Sequence, residues 1–157
     1  MGEKKMKIEQ ANLSDLDEVS KIDREISVDM LERKIRNGEV LLLRNQKKIF
    51  AYLMYSFFWD ELPFVNLLIV DSKERKKGFG SEIMRFWEER MNQKGYDYLM
   101  TSSQSDESGQ HFFRKLGYEE SGRFNFPDQA EEIIFSKGKK EKKPNQAAHT
   151  TPAIAPR

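Results

Sequence analysis

The sequence predicts a mixed α/β domain of the α+β type, in which a central and mostly antiparallel sheet is flanked by helices. Three observations support this fold class. The chain has 157 residues, a length that suits one domain. Its first half contains apolar runs separated by a short polar turn, as expected for antiparallel strands. Its second half alternates a strand, a helix, a strand and a helix, which indicates a β-α-β unit.

One short strand and two helices are expected before Gly38. Met6–Gln10 is the predicted opening strand. The first helix is expected to use Ser14 as its cap, and its apolar residues recur at helical spacing: Leu16, Val19, Ile22 and Ile26. A second short helix over about 29–36 would end at Gly38, because glycine readily adopts the left-handed conformation that ends helices.

The rest of the domain is expected to combine strands with two more helices. Val40–Leu43, Ile49–Trp59 and Phe64–Val70 predict three strands, since each is a largely apolar run. The later elements are predicted in this order: a helix over Ser81–Gln93, a strand over Tyr96–Ser102, a short helix over Gln110–Leu116, and two strands over Glu119–Phe124 and Glu132–Ser136.

Charge is unevenly distributed along the chain. From Lys137 onward there are six basic residues and one acidic residue, so this end carries +5 and the preceding 136 residues carry −4. We therefore interpret residues 1–137 as a single folded domain and residues 138–157 as a basic, disordered tail. The acidic body argues against a nucleic-acid-binding surface, which needs clustered positive charge. A basic arm that binds RNA or anionic lipid is the alternative for the tail.

Composition excludes several classes of site. The chain has no cysteine and two histidines, which excludes disulfide frameworks and cysteine nucleophiles and argues against a metal centre. The longest nearly apolar run, over residues 49–59, is shorter than the roughly 20 residues that a membrane span needs. No apolar leader follows Met1. A cytoplasmic protein that uses neither a metal nor a membrane is therefore expected.

The most informative segment is a basic turn with two glycines between a strand and a helix. The strand ends in Leu67–Val70, the turn brings three cations in Arg75-Lys76-Lys77, and Gly78-Phe79-Gly80 opens the helix. Glycine lets backbone amides approach a ligand closely, and a helix N-terminus carries partial positive charge. The segment therefore suits a pyrophosphate, with a solvated basic loop as the alternative. It matches neither a P-loop nor the dinucleotide fingerprint with its third glycine.

This turn resembles the acetyl-coenzyme A signature of the GNAT superfamily of N-acetyltransferases, Gln/Arg-x-x-Gly-x-Gly/Ala, as Arg75-Lys76-Lys77-Gly78-Phe79-Gly80. The stretch from Asp106 to Tyr118 resembles that family's Asn-x-x-Ala-x-x-Phe-Tyr-x-Lys-x-Gly-Phe motif. The resemblance covers about residues 6–136 and implies a GNAT-like fold with a β-α-β-α acetyl-coenzyme A unit. It also implies acetyl transfer from acetyl-coenzyme A to an amine on a small molecule, peptide or protein, and it is compatible with a homodimer.

The resemblance implies a position for each part of acetyl-coenzyme A. Backbone groups of the strand before the signature would hold the pantetheine arm and polarise the acetyl carbonyl, at Leu68, Ile69 and Val70. Backbone amides of the turn would hold the pyrophosphate, at Arg75, Lys76, Lys77, Gly78, Phe79, Gly80 and Ser81. Asp106, which replaces the family's usual asparagine, would lie near the pantetheine. Phe112 and Phe113 would line the same wall, unless they are core residues.

The sequence does not assign a catalytic acid or base. Where the family often has a tyrosine as the acid, this chain has Phe113, whose ring has no proton to donate. Other candidates for the acid are Tyr118, Tyr55 and Ser103, and candidates for the base are Asp60, Glu61 and His111, unless a water chain moves the proton. A binding module that holds an acyl-coenzyme A with little or no turnover is therefore the alternative to an enzyme.

Overall fold

The computed structural model describes residues 5–139 as seven strands in one sheet with four helices. The strands are β1 Lys7–Gln10, β2 Val40–Arg44, β3 Ile49–Phe58, β4 Leu62–Val70, β5 Tyr98–Gln104, β6 Glu119–Phe124 and β7 Glu132–Gly138. The helices are α1 Leu16–Ile22, α2 Val28–Arg36, α3 Phe79–Gln93 and α4 Gly109–Lys115. The predicted fold class and the predicted order of elements are both confirmed.

The strands are arranged in the order β1-β2-β3-β4-β5-β7-β6. Every neighbouring pair is antiparallel except β4 and β5, which run parallel and are connected through α3. This single parallel pair lies in the middle of the sheet. It therefore divides an N-terminal antiparallel half from a C-terminal one.

Each face of the sheet carries its own hydrophobic core. On one face α3 inserts Trp87, which is fully buried, and α4 adds Phe113 to the same cluster. On the other face α1 and α2 contribute Val19 and Leu31, both fully buried. Two helices on each face are needed because the middle strands are apolar on both sides.

The start of the first helix differs from the prediction. Asn12 and Asp15, not Ser14, form the reciprocal capping pair, because a short 3-10 turn over Leu13–Asp15 precedes α1. The helix also ends at Ile22, so Ile26 lies in the loop between α1 and α2 and not on the helix face. It still packs against the α1/α2 core, which explains why its spacing looked helical.

The end of the domain also differs slightly from the expected boundary. β7 continues through Gly138, which pairs with Tyr98, and the Lys139 N–H donates to the Asp97 carbonyl at 2.8 Å. Gly138, the first residue assigned to the tail, is thus part of the sheet. The remainder of the predicted tail, residues 140–157, lies outside the described residues.

Candidate functional site

The parallel strands β4 and β5 are joined over only two register positions. Phe64 pairs with Met100 and Val65 with Thr101, and no further pair follows. At the last pair the Thr101 hydroxyl donates to the Val65 carbonyl at 3.1 Å. Beyond this point the strands separate. We call the gap between them, bounded on one side by residues 66–70 of β4, the fork.

A bulge in β4 lies directly at the fork. Val65 pairs with Tyr55 and Leu67 with Met54, so Asn66 is an extra residue without a partner on β3. The Asn66 side-chain oxygen accepts from the Ser56 hydroxyl at 2.6 Å, which ties the bulge to β3. Because bulges bend and twist the strand that contains them, this one accounts for β4 turning away from β5.

The separation leaves part of a central strand open. Residues 67–70 are large and apolar, yet all four are only partly buried, although β4 is the middle strand of the sheet. Strand residues turn their N–H and C=O groups to alternate sides. Of the positions implied for the pantetheine and acetyl groups, Leu68 and Val70 therefore turn their backbone groups to the fork. Ile69 turns its groups to β3, because the Asp71 N–H, two residues further on, donates to the Phe50 carbonyl of β3 at 2.9 Å.

The turn after β4 is fixed by carboxylates. The Asp71 side chain accepts from the Lys73 N–H at 2.9 Å and stabilises a 3-10 turn over Ser72–Glu74. The Glu74 carboxylate accepts from Lys48 at 2.9 Å and from Lys77 at 2.8 Å. These bonds, together with the nearby positive charges, lower the pKa of Glu74. The turn is therefore held to Lys48, the residue that directly precedes β3.

The turn presents a run of free backbone amides. Gly78 precedes α3 at φ +87° and has no side chain to cap it, and the first amide to bond back is that of Glu82, to the Gly78 carbonyl at 3.0 Å. Within residues 5–139, the N–H groups from Arg75 to Ser81 have no hydrogen-bond acceptor. Free amides at a helix N-terminus form an anion-binding site. Every position implied for the pyrophosphate lies in this run.

Close packing explains the second glycine. A Cβ at Gly80 would lie 3.3 Å from Phe112 Cζ and 3.4 Å from Val70 Cγ2. The start of α3 therefore touches both β4 and α4 at this position. A Cβ there would require Phe112 or Val70 to shift by a few tenths of an ångström, and a longer side chain would need a larger displacement.

The three cations of the turn are exposed but are not equivalent. Lys77 is paired with Glu74, whereas Arg75 and Lys76 have no carboxylate within 4.0 Å in the part of the chain that the structure describes. Lys76 also has a left-handed backbone at φ +64°. Arg75 and Lys76 are thus available to an anion at the turn, since no internal carboxylate competes for them.

Asp106 and Phe113 lie in different surroundings. Asp106 is exposed in the loop between β5 and α4, beyond the far side of the fork. Phe113 is 6% exposed and packs in the core, with ring centroids 6.0 Å from Tyr118 and 6.1 Å from Phe135. The ring beside Gly80 is that of Phe112. A contact of Phe113 with the cofactor stays a prediction.

The hydroxyls proposed as substitutes for the tyrosine acid are all in buried side chains. Tyr118 donates to Glu88 at 2.8 Å and Tyr55 to the Gly38 carbonyl at 3.3 Å. Burial raises the pKa of both tyrosines, which makes them weaker acids than a solvated tyrosine. Ser103 is also buried, and its hydroxyl lies 2.9 Å from where a Cβ on Gly109 would be.

The candidate bases lie away from the fork. Asp60 is exposed in the tight turn between β3 and β4, and Glu61 is exposed beside it. Both therefore precede β4, whereas the fork begins after Val65. His111 is exposed on α4. Their positions favour the interpretation of all three as surface residues.

The sequence did not predict one polar pair that lies near the fork. The Ser102 hydroxyl donates to the Glu132 carboxylate at 2.6 Å, across the β5–β7 ladder. Ser102 directly follows Thr101, the last residue of β5 that pairs with β4. The two residues are 30 positions apart, and only the strand register brings them together, so no local motif could have indicated the pair.

The described part of the chain contains neither a candidate metal cluster nor a helix suited to cross a membrane. Within residues 5–139, no three His, Cys, Asp or Glu side chains lie close enough together to hold a metal ion. None of the helices in the same range combines the length and the apolar composition that crossing a membrane requires.

The chain matches a known protein family and several solved structures. Residues 36–120 match the family described as the acetyltransferase (GNAT) domain. No curated protein sequence matches the chain. Solved structures do: a GNAT-family acetyltransferase from Bacillus cereus is 23% identical, with a TM-score of 0.70 over 87% of this chain and 99% of that one.

Two further solved structures have similar folds. The ribosomal-protein-S18-alanine N-acetyltransferase from Escherichia coli is 15% identical, with a TM-score of 0.72 over 90% of this chain and 98% of that one. The PaiA N-acetyltransferase from Thermoplasma acidophilum, solved in complex with coenzyme A, is 14% identical, with a TM-score of 0.73 over 85% and 99%. At these identities the likeness establishes the fold alone.

Proposed function

The chain belongs to the GNAT family of acetyltransferases, and from this premise we propose that it transfers an acetyl group from acetyl-coenzyme A directly to a primary amine. The observation that carries the proposal is the juxtaposition of an open strand edge at residues 66–70 with seven free backbone amides at residues 75–81. The first could hold an extended chain by backbone hydrogen bonds, and the second could hold its phosphates.

The turn fits the pyrophosphate of coenzyme A. Free amides at the start of α3, a helix of 15 residues, provide donors and the positive end of a helix dipole. Arg75 and Lys76 add positive charge that no internal carboxylate within salt-bridge range neutralises in residues 5–139. The close contact of Gly80 with Val70 joins this turn to the end of β4. A ligand whose pyrophosphate binds at the turn could thus extend directly into the fork.

The fork fits the thioester end of acetyl-coenzyme A. Acetyl-coenzyme A supplies an acyl group that is activated by its bond to sulfur. An unpaired β4 amide beside the Asn66 bulge could donate to the acyl oxygen as negative charge develops there, an interaction that contributes about 3–4 kcal/mol in enzymes with such donors. The bulge and the Thr101 hydroxyl fix the strand at this point, so the donor would be held in place before substrate binds.

Direct transfer agrees with the composition of the chain. With no cysteine in the sequence, an acyl-thioenzyme intermediate has no residue to form on. A thiol with an ordinary pKa of about 8.5 is a fair leaving group, so the buried tyrosine hydroxyls need not take part. The amine nitrogen would attack the thioester carbonyl carbon, and the carbon–sulfur bond would break.

The first experiment is titration calorimetry of the full chain with acetyl-coenzyme A and with free coenzyme A. Micromolar binding of both, followed by amine-dependent thiol release with a panel of alkyl amines, is the expected result. Absence of binding to either ligand would overturn the proposal, because the turn and the fork would then have no ligand. Binding without thiol release from any amine would overturn the enzymatic part alone.

A binding module without turnover is the second candidate. It is favoured by Phe113, which stands where the family often has its acid, and by the internal hydrogen bonds of Tyr118 and Tyr55. Phe113→Tyr discriminates between the two. A strong gain in thiol release in this variant would indicate that the natural chain lacks its acid, whereas measurable turnover that is the same in both proteins would favour an enzyme that works without one.

A further inference from the structure

Half of one sheet face has no helix over it in the described structure. On the face of α1 and α2, the core formed by these helices extends across the sheet to Leu67 and Ile69 of β4. The side chains of β5 and β7 that point to the same side are only partly buried and belong to neither core: Met100, Ser102, Gln104, Glu132 and Ile134. This open face begins where the fork begins.

On that face Glu132 is the middle one of three residues that lie side by side on neighbouring strands. In the register of the sheet it stands opposite Gln104 of β5 on one side and Phe124 of β6 on the other. Residues directly opposite in an antiparallel pair share a face. Phe124 is 50% exposed, and its ring centroid lies 6.2 Å from that of Phe126, which is also 50% exposed. A carboxylate is thus flanked by an amide and by exposed aromatic surface.

The carboxylate is close to the fork. Its oxygen is 2.6 Å from the Ser102 hydroxyl, and Ser102 is one residue past Thr101, where β4 and β5 part. The side chains of Ile133 and Phe135 point into the α3/α4 core, so Glu132 points to the opposite face. The basic turn with Gly78 and Gly80, which leads into α3, lies on the face of the α3/α4 core. A second substrate could therefore reach the fork from the side of Glu132.

The charge of Glu132 is not neutralised by a protein cation. No Lys, Arg or His nitrogen lies within 4.0 Å of its carboxylate in residues 5–139, whereas its neighbour Glu131 is paired with Arg123 at 2.9 Å. The Ser102 hydroxyl fixes one carboxylate oxygen and leaves the charge in place. A partly buried carboxylate of this kind attracts a cation, and an aromatic ring beside it favours the same partner.

Resting on the proposed function, we propose that Glu132 binds the ammonium group of the acceptor, so that the substrates are cationic alkyl amines. The ionised carboxylate can only accept hydrogen bonds, which an ammonium donates. In the transfer a carbon–nitrogen bond forms and the carbon–sulfur bond breaks. The nitrogen loses two protons in all: one passes to water before the attack, and the other reaches the departing thiolate.

The test compares Glu132→Gln with the matched control Glu131→Gln. Thiol release is measured with a cationic alkyl diamine and with an aromatic amine that is uncharged at neutral pH. We expect Glu132→Gln to lower kcat/KM for the diamine by about 10- to 100-fold, mainly through KM, the range for losing a hydrogen bond to a charged group. The aromatic amine should lose far less. The Glu131 variant should behave like the natural chain with both amines.

Acetyl-coenzyme A affinity, measured by calorimetry, separates this inference from the proposed function. Unchanged affinity in Glu132→Gln would show that the variant is folded and that only acceptor binding is affected. Equal losses for the charged and the uncharged amine, or equal rates for Glu132→Gln and the natural chain, would overturn the role of Glu132 and leave the acetyltransferase intact. A natural chain that neither binds acetyl-coenzyme A nor releases thiol would overturn both.

Discussion

The Thr101 hydroxyl donates to the Val65 carbonyl at 3.1 Å, and both residues are 1% exposed, so the bond is shielded from water. It lies at the last position where β4 and β5 pair. A side chain thus bonds to the neighbouring backbone at the point where the backbone ladder stops. We infer that this bond fixes the backbone at the apex of the fork.

Thr101→Val tests that role with nearly the same side-chain shape. The variant removes the hydroxyl and leaves the Val65 carbonyl without that partner, so we expect the free energy of unfolding to fall by about 1–2 kcal/mol. The apex of the fork would also become less fixed, so acetyl-coenzyme A should bind more weakly. Urea denaturation gives the first quantity and titration calorimetry the second.

Ser20→Ala is the control, because the Ser20 hydroxyl also donates to a backbone carbonyl, that of Asp17 at 2.8 Å, but this bond is exposed to solvent. It should change stability by less than about 0.5 kcal/mol. If Thr101→Val were as stable as the natural chain and bound acetyl-coenzyme A equally well, the hydroxyl would not define the fork.

Gly80→Leu addresses the packing of the turn against β4. A Cβ alone would lie 3.3 Å from Phe112 and 3.4 Å from Val70, and the further leucine atoms have no room between these side chains. The start of α3 must therefore move away from the fork. We expect acetyl-coenzyme A affinity to fall by at least about tenfold, equivalent to about 1.4 kcal/mol.

Gly122→Leu is the matched control for this substitution. A Cβ at Gly122 meets no atom within 4 Å, and the residue lies on the exposed strand β6. Its acetyl-coenzyme A affinity should equal that of the natural chain. A Gly80→Leu variant that is folded by circular dichroism and binds with natural affinity would contradict the proposed position of the pyrophosphate.

The sequence predicted the fold well because the fold depends on short-range patterns. Apolar runs and glycine stops identified seven strands and four helices in the right order, and the bounds of β6 were predicted to the residue. The start of α1 was mispredicted, because the capping group Asn12 acts through a 3-10 turn and Ser14 has typical capping chemistry. Ile26 was placed on a helix because packing, not helix geometry, set its spacing.

The site was predictable in part for the same reason. The glycine turn is continuous in sequence, and its free amides follow from its position directly before the first hydrogen-bonded turn of α3. The Ser102–Glu132 pair depends on the register between β5 and β7, and the exposure of residues 67–70 depends on where β4 leaves β5. Both are long-range features. Sequence patterns in one chain do not encode them locally.

The variant Tyr118→Phe tests whether the Tyr118 hydroxyl takes part in acetyl transfer. Tyr118 is 2% exposed and donates to Glu88, which also accepts from Lys137 at 3.0 Å. Burial and the nearby carboxylate raise the pKa of Tyr118, so it is a poor proton donor. Glu88 is also eight residues beyond Gly80, about 12 Å along α3.

We therefore expect Tyr118→Phe to lower the free energy of unfolding by about 1.5–3 kcal/mol, the range for a hydrogen bond to a charged group, and to leave kcat for acetyl transfer unchanged. Tyr98→Phe is the control, because Tyr98 is 51% exposed; it should affect neither quantity. A large loss of kcat in Tyr118→Phe with its thermal stability intact would restore Tyr118 as the acid.

The buried ion pair of Asp15 and Arg44 makes stability depend on pH. Arg44 donates to the two Asp15 oxygens at 2.6 and 3.2 Å, and the Asn12 N–H donates to Asp15 at 2.8 Å. Burial acts to raise the pKa of Asp15, but these bonds outweigh it, and the pKa lies below its ordinary value. A carboxyl with a lowered pKa stabilises the fold when it is ionised.

Asp15→Asn should therefore lower the free energy of unfolding at neutral pH by about 2 kcal/mol. Because the pKa of Asp15 is lower in the folded state, the stabilisation by Asp15 is complete above the unfolded value of about 3.9 and is lost as the pH falls through the folded value. Urea denaturation from neutral to acidic pH should thus show the two stability curves converging below about pH 4. Asp17→Asn, which removes an exposed ion pair with Lys21, is the control. Its free energy of unfolding should depend on pH in the same way as that of the natural chain. An Asp15→Asn deficit that stays constant with pH would exclude the ion pair as its source.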